Sequence, residues 1–351
     1  MSVDAARPEA ATELRLTTLH STRGKNFWSL RPVTRIDLVV GAFDDISSAD
    51  APGVTERLTK AMPGLVEHRC SIGERGGFVL RLRRGTYAPH IIEHVALELQ
   101  TMVGHDVGYG RTRGGDVEGE YTVVFEHLHE HVGLRAAALA LEVVQQAFDG
   151  TLASVDAAVA ELKALDQTPD SPPLQARVLC GVTGGDGRAE AQRLLRERLN
   201  DPAAIVVDVA PSYLLQAGLP YGRSEMAIIL DATLTDVPKR YQEEERAIRL
   251  VSVLADAVQR RGMVVCPAKA WEIQDYARDS GCRIAVFAAD DRVSRRDSKL
   301  ARAIGLVRDG RIWIDGCGAG EDAGTLDPTL PTAPQVAAAL AAATWRGGER
   351  R

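Results

Sequence analysis

From residue 177 onward the chain alternates β-branched segments with amphipathic ones, and that alternation leaves few folds open. Arg177 to Val182, Ala204 to Val209, Met226 to Leu230, Met263 to Cys266 and Arg283 to Phe287 read as strands. Arg188 to Leu199, Gln242 to Arg260 and Trp271 to Ser280 read as helices between them. Strands joined through helices run parallel, since each crossover returns the chain to the same end of the sheet, and the helices then cover both faces. Gly305 to Ile314 adds a terminal hairpin. The Pro- and Gly-rich stretch from Asp315 to Pro334 reads as loose and is followed by a short Ala-rich helix.

The first half has a different texture. Arg35 to Val40 and Tyr121 to Glu126 read as strands, and Pro89 to Val103, Gly133 to Phe148 and Thr151 to Leu165 as helices. Asp166 to Pro173, rich in proline and aspartate, reads as a linker. The expected fold class is α/β: a mixed α/β N-terminal domain over residues 1–162, a linker over 163–176, a mostly parallel-sheet, P-loop-type three-layer domain over 177–314, and a loose tail with a short helix over 315–351.

All the histidines, His20, His68, His90, His94, His105, His127, His129 and His131, lie in the first half, so histidine chemistry belongs there. The densest pattern is His90-Ile91-Ile92-Glu93-His94, followed by Glu98. Residues four apart are neighbours on a helix, which puts His90, His94 and Glu98 on one stripe with Glu93 a step around it. Two imidazoles and a carboxylate suit Zn2+ with one position left for water, and the spare carboxylate, Glu93, is placed to act as general base. Iron or manganese suits the same donors, and hydrogen bonding among these residues with no metal remains an open alternative. Glu126, His127, His129 and His131 are further ligand candidates if strand alternation sets the three histidines on one face.

Arg75, Arg81, Arg83, Arg84, Arg111 and Arg113 flank this helix, either as a solvated basic face or as a clamp for a substrate carboxylate; Arg81, Arg84, Arg111 and Arg113 are the clamp candidates. Glycines in Gly73-Glu74-Arg75-Gly76-Gly77 and Gly108-Tyr109-Gly110 mark tight turns or close backbone approach. A net charge of −6 argues against general nucleic-acid binding. No apolar run nears the roughly 20 residues of a membrane helix and no signal-peptide core is seen, so a cytoplasmic protein without a membrane partner is expected. Cys70, Cys180, Cys266, Cys282 and Cys317 form no Cys-x-x-Cys pair and read as small core residues.

Val178 to Glu190 has the layout of a phosphate loop, with Gly184 and Gly187 in the turn. Its lysine position holds Arg188 and its Mg2+ hydroxyl position holds Ala189, with Glu190 adding negative charge, so no ATP cofactor is expected.

Gly24-Lys25-Asn26-Phe27-Trp28-Ser29-Leu30-Arg31, Pro63 to Ser71 with Arg75-Gly76-Gly77-Phe78, His90 to Gln100, Val107 to Arg113 and Tyr121 to Glu126 together resemble the N-terminal domain of cyanophycin synthetases over about Leu14 to Gly150. That family polymerises aspartate and arginine into a storage polypeptide. The resemblance implies an ATP-grasp domain next, but the chain passes instead into a segment similar to the family's muramyl-ligase-like domain, matched at Gly181-Val182-Thr183-Gly184. There Arg188, Ala189, Asp231 to Asp236 and Pro267 to Ala270 depart from the family pattern, each at a nucleotide, Mg2+ or substrate contact, which implies that ligase machinery is missing. The resemblance also implies a polymer-holding N-domain, which in some members resembles a cryptic metallopeptidase. Two expectations follow: a metal-dependent hydrolase of a charged, Asp/Arg-type peptide, or a catalytically silent pseudo-ligase that binds a peptide or partner. A homo-oligomer and a separate ligase partner fit either.

Overall fold

The computed structural model describes residues 14–168, 178–290, 300–316 and 320–349. They form two compact units, one from residues up to Arg23 together with Arg31–Ser171, the other from Gly24–Leu30 together with Pro172–Arg351.

The first unit is built on an antiparallel sheet of β1 (Arg15–Thr22), β2 (Val33–Val39), β3 (Gly110–Gly114) and β4 (Glu120–Glu126), in the order β1-β2-β4-β3. Its helices are α1 (Val54–Ala61), α2 (Gly77–Arg84), α3 (Ala88–Met102), α4 (Glu130–Asp149) and α5 (Asp156–Asp166). Ile36, Leu38, Val123 and Phe125 of the two central strands share one core with Ile91, Ile92 and Val95 of α3 and Ala136, Ala140 and Val144 of α4. α3 starts with Pro89 in its first turn, where a missing N–H costs nothing, and Gly104, at φ 98°, follows its last turn. Every residue from Ile91 to Gln100 is buried, so α3 is enclosed on all sides and carries its polar groups into the interior.

The second unit holds an eight-stranded sheet in the order β12-β11-β10-β9-β8-β7-β5-β6. β5 (Val178–Thr183), β6 (Ile205–Asp208), β7 (Ser224–Ile229), β8 (Val258–Pro267), β9 (Arg283–Phe287) and β10 (Ala303–Arg308) pair in parallel; β11 (Arg311–Asp315) and β12 (Glu321–Thr325) are antiparallel additions. One side chain in two along the strands (Cys180, Val182, Met226, Ile228, Val265, Phe287) joins a core with α6 (Arg188–Leu199) and α10 (Thr332–Glu349). α8 (Glu244–Ala257) and α9 (Trp271–Asp279) supply no residue to that cluster and pack on the other face, while the short α7 (Pro211–Ala217) packs against α8. The expected α/β layering therefore holds: a mixed unit followed by a largely parallel, three-layer one.

Three local expectations change. The described part of the tail is not loose: β12 extends the sheet, and α10 runs for 18 residues with Val336 to Ala342 buried. Gly24–Leu30, grouped by sequence with the first domain, belongs to the second unit, where Phe27 meets Tyr241 edge-on at 5.3 Å and Arg249 donates to the Phe27 carbonyl. The helix expected over Thr151–Leu165 starts only at Asp156 and runs through Asp166, so the proposed linker opens inside it. Linker residues 169–176 and Cys317 lie outside the described residues.

Candidate metal centre

α3 and the turns around it wall a cavity of about 960 Å3 within the first unit. Cys70, His90 and His94 bring one ligand atom each to within 4.8 Å of one another on its wall. His90 and His94 meet because they are one helical turn apart, as the spacing predicts. Cys70 comes from a different element. It sits in a single 3-10 turn (Cys70–Ile72) with φ 52°, and its Sγ lies 3.4 Å from His90 Nε2. Contrary to the expectation that all five cysteines are small core residues, Cys70 is half-buried, whereas Cys180, Cys266 and Cys282 are buried.

Glu98 does not join this trio. Its Oε2 accepts from His68 Nε2 at 3.0 Å, and His68 Nδ1 lies 2.9 Å from His94 Nδ1. The order of hydrogens that suits a metal-binding His94 has His68 Nε2–H donating to Glu98 and His94 Nδ1–H donating to His68 Nδ1. The lone pair of His94 is then on Nε2. Thr86 Oγ1 makes the corresponding 2.8 Å hydrogen bond to His90 Nδ1, which leaves His90 Nε2 facing Cys70. Outer hydrogen bonds of this kind orient imidazole ligands. His94 also stacks on Phe78, ring centroids 3.8 Å apart.

Burial sets the charge states. It pushes the His90 imidazole down to about 4, helped by the Arg81 guanidinium, and His94 further, to about 2, helped by the neighbouring His90 and His68. Both rings are neutral at ordinary pH, the form that binds a metal ion. Burial pushes Glu93 the other way, up to about 7, against the pull of the Thr112 hydroxyl that donates to its Oε2 at 2.6 Å. The donor set of one thiol and two neutral imidazoles, each with an outer partner, fits Zn2+ and leaves a fourth position open.

Two glycines make room for the carboxylates. A Cβ on Gly110 would lie 2.6 Å from Glu93 Cγ, and one on Gly64 would lie 2.0 Å from Glu98 Oε1. The sequence marked Gly110 as a place of close approach, and the partner is a side chain of the site itself.

Of the four basic candidates, Arg81 and Arg111 line the cavity, and Arg84 and Arg113 do not. Tyr109, missed in the sequence, lines it too, and its buried hydroxyl has no hydrogen-bond partner among the described residues. His127, His129 and His131 do not share a strand face. β4 ends at Glu126; His127 is buried against Thr34, 3.1 Å away, His129 caps α4, and His131 lies inside that helix. Glu126 accepts from the Tyr109 backbone N–H at 3.4 Å.

Residues 35–149 match the cyanophycin synthase-like N-terminal domain. The cyanophycin synthetase of Synechocystis sp. (strain ATCC 27184 / PCC 6803 / Kazusa) is 45% identical over 134 residues, 36% of this chain and 15% of its own. That of Trichormus variabilis is 43% identical over 140 residues, 39% of this chain and 15% of its own; that of Crocosphaera subtropica is 42% identical over 164 residues, 45% and 18%. The chain thus spans about 15–18% of the length of these relatives. Every residue of the metal trio, with Glu93 and Glu98, lies inside the cyanophycin synthase-like region. Among solved structures, MurF from Acinetobacter baumannii aligns over 67% of this chain and 50% of its own at TM-score 0.36 and 11% identity. A murein peptide ligase from Psychrobacter arcticus aligns over 54% and 50% at TM-score 0.33 and 13% identity.

In the second unit the loop expected to resemble a phosphate loop is occupied by its own side chains. Arg188 Nη1 donates to the Gly184 and Gly185 carbonyls at 2.8 and 2.7 Å, and Nε donates to Asp208 at 3.1 Å. The Gly185 N–H donates to Asp231 Oδ1 at 3.0 Å, so a carboxylate sits on a donor that a phosphate would need. Gly187, at φ 87°, caps the start of α6, and a Cβ there would meet Pro334 at 2.4 Å. Among the described residues no helix is long and apolar enough to cross a membrane.

Proposed function

We propose that the cyanophycin synthase-like domain of this chain is a metal-dependent amide hydrolase acting on a polypeptide rich in aspartate and arginine. The observation that carries this reading is the convergence of Cys70, His90 and His94 beside buried Glu93 on the wall of one large cavity. Cys70 Sγ, His90 Nε2 and His94 would hold the ion. A divalent metal supplies Lewis acidity and lowers the pKa of water.

The chain's own residues do the rest. Glu93, held by Thr112, takes the proton from the attacking water and returns it to the leaving amine as the C–N bond breaks; a carboxyl lifted to about 7 is matched to both transfers near neutral pH. Arg81 and Arg111 bind substrate carboxylates from the cavity wall, and the Tyr109 hydroxyl donates to a substrate oxygen. The substrate class rests on the cyanophycin synthetases that this domain resembles at 42–45% identity. Zn2+ is the favoured ion because a thiolate joins the histidines. The second unit acts as a scaffold without ATP chemistry, since Asp231 and Arg188 occupy the donors and acceptors of its loop.

The test is metal analysis of the purified full chain together with hydrolysis of an Asp/Arg polypeptide by wild type and Glu93→Gln. One Zn2+ per cavity and turnover that falls by about 10²–10⁴-fold in a variant that still holds its metal are expected. Zinc-loaded protein that leaves the polypeptide intact would favour the silent, peptide-binding reading. Turnover unaffected by Glu93→Gln would remove Glu93 from the chemistry.

A further inference from the structure

A second set of ligating side chains lies in the first unit, outside the residues that line the cavity. His105, in the loop after α3, His129, the residue that caps α4, and Asp166, the last residue of α5, bring one ligand atom each to within 4.8 Å of one another. Asp166 Oδ1 is 2.8 Å from His105 Nε2 and 2.6 Å from His129 Nδ1. The two imidazoles stand at 71° with ring centroids 5.1 Å apart, so they converge on the carboxylate from different directions instead of stacking. We propose that His105, His129 and Asp166 form a second divalent-cation site, separate from the Cys70–His90–His94 centre.

Ligand atoms around an ion at about 2.0–2.2 Å stand roughly 3–3.5 Å apart, and the two distances to Asp166, 2.8 and 2.6 Å, widen to that by less than an ångström. His105 turns Nε2 to the carboxylate from a buried ring whose other nitrogen, Nδ1, has no hydrogen-bond partner among the described residues. The carboxylate and the second imidazole are also reachable: the side chains of Asp166 and His129 are 23% and 36% exposed, against 3% for His105. An ion bound here keeps outward positions for water. Two imidazoles and one carboxylate select Zn2+, Fe2+, Mn2+ or Ni2+ over Mg2+ and Ca2+, which prefer all-oxygen shells. Asp166 ends α5, where the helix carbonyls favour a cation, and the site ties the end of α5 to the start of α4 and the loop after α3.

The experiment is Zn2+ titration of the metal-stripped full chain, with bound metal counted after desalting. Wild type is expected to hold two equivalents. His129→Ala and Asp166→Asn, each checked for wild-type far-UV circular dichroism, are expected to hold one and to keep the Cys70–His90–His94 metal. His90→Ala with His94→Ala is the reciprocal control and is expected to keep the other equivalent. A wild type that saturates at one equivalent, lost in the His90/His94 variant, overturns the proposal while sparing the first site. Two equivalents that persist in both His129→Ala and Asp166→Asn overturn it as well. Loss of only the His90/His94-dependent equivalent from wild type would count against the hydrolase centre and leave this site standing.

Discussion

Gly64→Ala isolates the contribution of the outer hydrogen bonds to the metal centre. Gly64 has an ordinary φ, so alanine brings no backbone strain, and the whole effect comes from a methyl group that would sit 2.0 Å from Glu98 Oε1 and 2.7 Å from Cδ. Ordinary contact requires the carboxylate to retreat by roughly an ångström or more. Glu98 is 4% exposed and bonded to His68 at 3.0 Å, so that retreat breaks the bond. Overpacking of this kind costs about 1–3 kcal/mol, and a buried polar group left unpaired costs a similar amount, so a loss of about 2–6 kcal/mol from the first unit is expected. With Glu98 withdrawn, His68 no longer imposes the Nδ1–H form on His94, and metal affinity should fall about 10–100-fold. Urea unfolding of the metal-free chain reads the first quantity, and Zn2+ competition against a chelator reads the second. Gly114→Ala, where an added Cβ meets nothing within 4 Å, is the control and should leave both unchanged. If Gly64→Ala unfolds within about 0.5 kcal/mol of wild type and binds Zn2+ equally well, the relay from Glu98 through His68 to His94 is wrong.

Two further outcomes follow from burial. Because the fold raises the Glu93 carboxyl from its ordinary 4.5 to about 7, the native state favours the protonated form, and wild type loses stability as pH rises between those values. Metal-free Glu93→Gln should therefore be more stable than wild type above pH 7, by about 3 kcal/mol, with the two curves merging below about pH 4.5; parallel curves across that window in urea unfolding would contradict the assignment. Leu340→Ala in α10, a fully buried position, should destabilise the second unit by about 2–5 kcal/mol, whereas a dispensable tail would leave denaturation unchanged.

The fold class was legible in the sequence because hydrophobic period reports local geometry. β9 and α6 begin and end at the residues the pattern indicates, and the parallel pairing of β5 to β9 follows from helices placed between strands. The pattern failed where local propensity met a tertiary demand. Residues 315–334 lack a strong β pattern, yet Glu321–Thr325 pairs along the free edge of β11. The alternation of His127, His129 and His131 suggested one strand face, but the chain leaves the sheet after Glu126 and turns into α4.

For the site, the sequence determined that His90 and His94 share a helix face and that Glu93 stands beside them, because residues three and four apart on one helix are neighbours whatever the rest of the chain does. Which third group completes the set was decided only in three dimensions. Cys70 and Glu98 are both consistent with the chain's chemistry, and the choice between them depends on where the turn at Cys70 and the ring of His68 come to rest against α3. The same holds for His105, His129 and Asp166, whose separation along the chain carries no signal that they meet. Contacts within a helix are set by backbone geometry, whereas contacts between elements are set by packing, which no local pattern encodes.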